Sequence, residues 1–244
     1  MNRLRALIIS VLSLLAVTVI LACTVPISWL ADHAPASVQL AGVQGSVFSG
    51  HAEEVRFQHT RLGRVTWHFA PARLLHGELC YDLSITAPGH HLQGRFGIAP
   101  RHTWVAYQVD MEWPLRSLSD QVVWGGMLTA SIDSLHLRNS WPTLFVGSLT
   151  VRHFTRPDSN VDLGSYTLDL SAGPTPHEVL GHLRDVAGPL AVDATLSLAA
   201  DRSYHMDGSV LPRAGTPEDV KDSFTFLGPP DASGRRLFQM AGSM

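Results

Sequence analysis

Lysine is nearly missing from this chain of 244 residues, where Lys221 is the only one, and charged side chains of all kinds make up only 16%. The formal net charge is −3 at pH 7, and the arginines are scattered singly along the chain. That pattern argues against nucleic-acid binding, which needs a clustered basic face. Cysteine is equally scarce, with Cys80 the only one beyond Cys23, so the chain downstream of residue 30 cannot close an internal disulfide. Its fold must stand on packing. No G-x-S-x-G elbow, phosphate-binding loop or dinucleotide fingerprint occurs, which leaves the usual nucleophilic and phosphate chemistry without a footing and predicts a protein that is not an enzyme and needs no cofactor. Strand-helix-strand alternation is absent too, which disfavours a parallel α/β sheet.

One long apolar run is present. Residues 6–25 read ALIISVLSLLAVTVILACTV, twenty residues without a charge. At 1.5 Å per helical residue, about twenty residues span the hydrocarbon core of a bilayer. Arg3 and Arg5 precede the run and Asp32 is the first charge after it, so the positive-inside tendency keeps the N-terminus cytoplasmic. The expected layout is a cytoplasmic arm at 1–5, a transmembrane helix at 6–28 with Trp29 as interfacial anchor and Pro26 at its outer boundary, and a domain at 29–244 on the far side. A cleaved signal peptide is a competing reading, but its apolar stretch is usually about 7 to 15 residues, shorter than this one. Ile20-Leu21-Ala22-Cys23 loosely resembles a lipoprotein processing site, with a bulky Leu where a small residue is usual.

Beyond residue 37 the dominant period is two, broken at short intervals by Gly, Pro, Asn or Asp. Val65, Trp67 and Phe69 share one face. Leu79, Tyr81, Leu83 and Ile85 alternate against Glu78, Cys80, Asp82 and Ser84, and further stripes are Val105 to Trp113, Tyr166 to Leu170 and Leu190 to Leu198. Each is one-sided, as in an antiparallel sheet with one covered and one wet face. The predicted fold is therefore all-β, mainly an antiparallel meander forming a curled sheet or a sandwich, with the N-terminal transmembrane helix and one or two short helices. Thr216-Pro217-Glu218-Asp219 offers an N-cap, a first-turn proline and acids, which predicts a helix over 217–227 ending at Gly228. A weaker helical signal covers 114–122. Segments opening at Gly126, Gly147 and Gly181 share a strand type, consistent with growth of a meander.

Thirteen histidines raise the question of a metal. His177 and His182, the best pair, are five apart rather than the four that share a helix face, and the intervening residues read as a strand. His90 and His91 beside Pro88-Gly89 read as a solvated turn whose side chains point to opposite faces. No metal, catalytic or cofactor-binding residue is predicted. A hydrolase using His177 and His182 would have only the histidine count behind it.

Glycine and tryptophan at corners are more distinctive: Gly42-Val43-Gln44-Gly45-Ser46-Val47-Phe48-Ser49-Gly50, Leu62-Gly63-x-Val65-x-Trp67, Trp141-Pro142, Gly164-x-Tyr166-x-Leu168, Asp185-x-x-Gly188-Pro189-Leu190, and Leu227-Gly228-Pro229 with Gly234-Arg235. Singly, each serves positive φ, bulges or close strand approach. In this order, after a short arm and a single span, they resemble the type II secretion system protein N family. Phe48 stands where that family more often has tryptophan, which leaves a packing role intact. The resemblance implies an inner-membrane, single-pass accessory subunit with its bulk in the periplasm, neighbouring the secretin and the inner-membrane platform of the machine that exports folded proteins across the outer membrane. It brings no catalytic residues and no small-molecule substrate. A second reading is a module whose curled sheet offers an apolar groove to lipids or other amphiphiles, because an uncovered apolar face must meet something.

Overall fold

A computed structural model of the chain describes residues 38–57, 60–117, 124–156, 161–222 and 224–243. The predicted arm at 1–5, span at 6–28, Trp29 and Cys23 lie outside them. Among the described residues no helix is long and apolar enough to cross a membrane.

The described residues fall into two compact units. Unit 1 contains 38–70 and Tyr81–Pro88; unit 2 contains Pro71–Cys80 and 89–243. In unit 1, β1 (Val38–Ala41), β3 (Ser49–Phe57), β4 (Thr60–Phe69) and β5 (Leu79–Ala87) follow one another in an antiparallel row, with the two-residue β2 (Gln44–Gly45) also on β3. The expected alternation holds on β4, where Val65, Trp67 and Phe69 are half-buried and Arg64, Thr66 and His68 are exposed. The glycine-rich corner wraps Trp67: its Nε1 donates to Ser46 O at 2.9 Å, and a Cβ on Gly50 would lie 2.5 Å from the indole. Phe48 meets Phe69 edge-on with centroids 5.3 Å apart, so the residue that departs from the family pattern still packs as an aromatic.

Unit 2 is a longer meander. Its strands are β6 (His90–Ala99), β7 (Thr103–Pro114), β8 (Gly125–Arg138), β9 (Trp141–Thr155), β10 (Asp162–Ala172), β11 (Val179–Ala187), β12 (Leu190–Leu198), β13 (Ser203–Pro212) and β14 (Arg236–Ser243). Consecutive strands from β6 to β14 pair antiparallel, so they form one row rather than the two packed layers of a sandwich. The row curls. Trp141, at the start of β9, is buried and donates from Nε1 to Ala199 O at 2.9 Å, reaching the turn that follows β12, three strands on. Inward positions follow the predicted stripes, with Val105, Val109, Trp113, Leu170, Leu190 and Ala194 buried.

The strand-type likeness of 126–130 and 147–151 has a physical basis. Gly126 and Gly147 both have positive φ at register shifts of the β8–β9 pair, and a Cβ on Gly147 would sit 2.4 Å from Ser131 O.

The helix signals need correction. Residues 217–227 give only α1 (Glu218–Asp222) and a 3-10 turn at Thr225–Leu227. Thr216 is not a cap: it is buried, and its hydroxyl donates to Pro189 O and Arg213 O, both at 2.8 Å, so its oxygen serves the sheet rather than helix N–H groups. At 114–122 the described part is the end of β7 and a 3-10 turn at Leu115–Ser117, because the β7 pairing with β8 runs on to Pro114 opposite Met127.

Candidate interaction site

The chemistry-bearing residues of unit 2 gather at one end of its strands, where β10 begins and the β11–β12 turn sits. Gly164 and Gly188 have φ of 109° and 133°, and a Cβ on Gly188 would lie 2.4 Å from the Gly164 Cα. Only glycine lets the two backbones pass this closely. The Gly188-Pro189-Leu190 turn is then latched by the residue that follows β13: Arg213 donates from Nη1 to Gly188 O at 2.8 Å and Leu190 O at 3.2 Å, and from Nη2 to Asp185. Asp185 also accepts from the Val192 N–H at 2.9 Å. Burial works to raise the Asp185 pKa, but the Arg213 hydrogen bond and the backbone N–H together outweigh it and hold the carboxyl below the usual range.

The latch positions α1. Arg213 N and Thr216 Oγ1 both donate to Pro189 O, which fixes the chain entering the helix, and Val220 drops into a core with Leu163, Leu190 and Val210. Phe154, Val192, Phe224 and Leu227 pack around it. Asp231 organises the loop after the helix by accepting from Ser233 N at 2.8 Å and Arg235 N at 2.9 Å, while Arg236 donates to Gly228 O. The sequence motifs at Gly164, Asp185–Leu190, Gly228 and Arg235 are thus parts of one corner.

Against this core lies a cleft of about 810 Å³. Its walls are Leu183, Val192 and Val210 of the sheet, Phe224 and Phe226 after α1, and Met240 of β14. Phe226, Leu237 and Met240 are 81%, 66% and 54% exposed, so the mouth is as apolar as the floor. Tyr166 stands at the wall with its hydroxyl donating to Leu163 O at 2.6 Å, and burial, then the Asp185 charge, pushes its pKa to about 12. A neutral, apolar cleft of this kind can hold an acyl chain or an apolar side chain; it presents no nucleophile.

His90 and His91 do not form a solvated turn: both belong to β6, and the His90 ring is half-buried because it packs on the buried Trp113. His177 lies in the turn before β11 with φ 65°, whereas His182 is on that strand and pairs with Asp193 at 3.2 Å. Among the described residues no group of three or more His, Cys, Asp or Glu is placed to hold a metal. His91 pairs with Asp110 at 3.0 Å, and His90 stacks against Trp113 with ring centres 4.1 Å apart. Cys80 is fully buried, with Gly97 so close that a Cβ there would lie 2.4 Å from its Sγ.

A second polar group was not visible in the sequence. Tyr107 donates to Glu78 Oε1 at 3.0 Å and meets His136 Nε2 at 3.1 Å, with the Arg73 guanidinium 4.0 Å over its ring. Arg73 also pairs with Glu78 at 3.5 Å. Burial above all, with the Glu78 hydrogen bond, raises Tyr107 to about 12; burial lowers the His136 pKa despite the nearby Glu78 charge. These contacts make the cluster a fastener, tying 71–78 onto β7 and β8. Its only trace in the sequence is a Tyr within an apolar stripe, which does not name a partner 29 residues away.

A family model described as type II secretion system protein N matches residues 36–239. The chain belongs to this family. Curated relatives named type II secretion system protein N come from Vibrio cholerae serotype O1, 24% identical over 86% of this chain and 86% of that protein, and from Aeromonas hydrophila, 24% identical over 95% of this chain and 96% of that one. No solved structure gives a significant match. Family membership makes the chain an accessory component of type II secretion, in a family not known for enzymes, and implies contact with other components of that system.

Proposed function

We propose that the chain is an accessory subunit held in the inner membrane by residues 6–28, with 1–5 cytoplasmic and 29–244 in the periplasm, where it supports export of folded proteins beside the secretin and the inner-membrane platform. The observation that carries this is the conjunction of the family match over 36–239 with the twenty-residue uncharged run just upstream. An anchored meander with an apolar cleft suits a subunit that works by contact rather than by turnover. In-cell crosslinking of the tagged full-length chain, followed by membrane extraction and mass spectrometry, tests it. Recovery of secretin or platform subunits from the inner-membrane fraction is the expected result; a chain found in the soluble periplasm with neither attached overturns it.

The 810 Å³ cleft supports a second reading, an amphiphile-binding or transfer module. Native mass spectrometry of the purified chain should then show bound lipid that disappears in Val210→Trp, a substitution that fills the floor. Lipid-free protein sinks this reading and leaves the first untouched.

A further inference from the structure

The other end of unit 2 carries exposed apolar side chains that neither reading uses. The segment 71–78 is held down by Arg73 and Glu78, yet between them Leu74 and Leu75 of the 3-10 turn Pro71–His76 are 52% and 89% exposed. Gly77 brings this segment against Pro100, its Cβ position 3.5 Å from the proline ring, and Pro100–His102 is the turn joining β6 to β7. Just inside that turn Ile98 and Trp104 face each other across the two strands, 40% and 60% exposed, and Trp104 continues the row to Leu137 on β8. Leu79, 49% exposed, lies beside Gly97 at the start of β5.

Immediately around these apolar side chains the charge is basic, although the same end of the unit also carries Glu78, which is 13% exposed and paired with Arg73, and Glu178 and Asp201 in the β10–β11 and β12–β13 turns. The three stretches 71–77, 96–107 and 134–145 contain no Asp or Glu, although the chain as a whole has more acidic than basic side chains, 21 against 18. They do contain Arg73, Arg101 and Arg138 with His76, His102 and His136. Arg73 is taken up by Glu78, but Arg101, held at positive φ in the exposed β6–β7 turn, has no carboxylate partner among the described residues. Protruding leucines, a largely exposed tryptophan and an unopposed guanidinium are the complement of a phospholipid interface, where acyl chains accept the leucines, the headgroup layer accepts the indole and phosphate accepts the arginine.

We propose that this end of unit 2 docks on a bilayer surface containing anionic phospholipid, with Leu74 and Leu75 entering the acyl boundary, Trp104 in the headgroup layer and Arg101 on phosphate. The inference borrows only its setting from the membrane-anchored reading, since the surface would meet lipid whether or not secretion partners are bound.

The test uses the full chain with Cys23→Ala, reconstituted in vesicles of phosphatidylethanolamine and phosphatidylglycerol. An environment-sensitive fluorophore is attached to Leu75→Cys or, as a control at the opposite end of the strands, to Val186→Cys; Cys80 is fully buried and Val186 is 62% exposed. Lipid-borne nitroxide should quench the label at 75 and spare the label at 186. Adding Arg101→Ala should lower the ratio of docked to undocked chains about fivefold, as expected for one basic side chain at an anionic surface, and phosphatidylcholine vesicles should do at least as much. Equal quenching at the two positions overturns the proposal. So does a label at 75 that is shielded from water without being quenched by lipid, because another protein, or a second copy, then covers the surface. Retention of docking in the Arg101→Ala chain rules out the assigned phosphate contact.

Discussion

Unit 2 has two ends, and the chain closes them differently. Where β10 starts and the β11–β12 turn sits, contact is made by backbone: two glycines pass at touching distance, and Arg213 and Thr216 hydrogen-bond to carbonyls of the turn. Where β6 turns into β7, contact is made by side chains, the Arg73–Glu78–Tyr107–His136 group, and the backbone there is left bearing exposed leucines. Backbone contacts leave almost no freedom in residue type, whereas a polar side-chain cluster can be assembled in many ways. Recognisable family motifs therefore concentrate at the first end.

Gly188→Ala should do the greatest damage to the backbone-closed end, since it combines positive φ with an overlap on the Gly164 Cα; a loss of about 3 kcal/mol or more in urea unfolding is expected. Gly215→Ala, at φ 86° with nothing within 4 Å, is the control and should lose only about 1 kcal/mol. Equal losses would show that the close approach does not matter. Arg213→Ala comes next, at about 2 kcal/mol by the same measurement, because Asp185 and the turn carbonyls lose their donor while partial exposure limits the penalty. Trp141→Phe keeps the packing and removes the hydrogen bond to Ala199, for about 1 kcal/mol.

The smallest effect concerns pH, and here the two ends should separate. The folded-state pKa of His136 is lowered, so the unfolded chain binds the proton more readily. Its contribution is complete above the ordinary histidine pKa and is lost as pH falls from there through the lowered value. Asp185 is also lowered, but its contribution persists down to the carboxylate range and fades only as pH falls through its folded value. Stability followed by urea unfolding between neutral and mildly acidic pH should thus decline through His136, and His136→Gln should flatten that limb while Arg213→Ala leaves it in place.

Much of the fold was legible because a period of two needs no long-range information. The Val65–Phe69, Val105–Trp113 and Leu190–Leu198 stripes all became one-sided strands. What the sequence could not convey was where a local signal would be overruled. Thr216 carries every mark of a cap, yet its hydroxyl went to Pro189, a partner 27 residues away. The glycine corners were recognisable as corners, but that Gly164 meets Gly188, and Trp67 meets Ser46, are facts of pairing register. Tyr107 looked like any other stripe residue, and only the fold shows that its hydroxyl joins Glu78 to His136. The one-sided stripes pointed to an apolar face, but that residues after α1 would wall a cleft against it was not legible.

One consequence follows from the row of strands from β6 to β14, in which each pairs only with its neighbours in sequence. Apart from β13–β14, which residues 213–235 and α1 connect, the hairpins close over shorter connections, so little chain entropy must be surrendered before the next pairing can form. Such a sheet can zip up in the order in which the chain emerges, without waiting for a distant strand to arrive. For a polypeptide that emerges N-terminus first, that allows structure to grow as fast as length does.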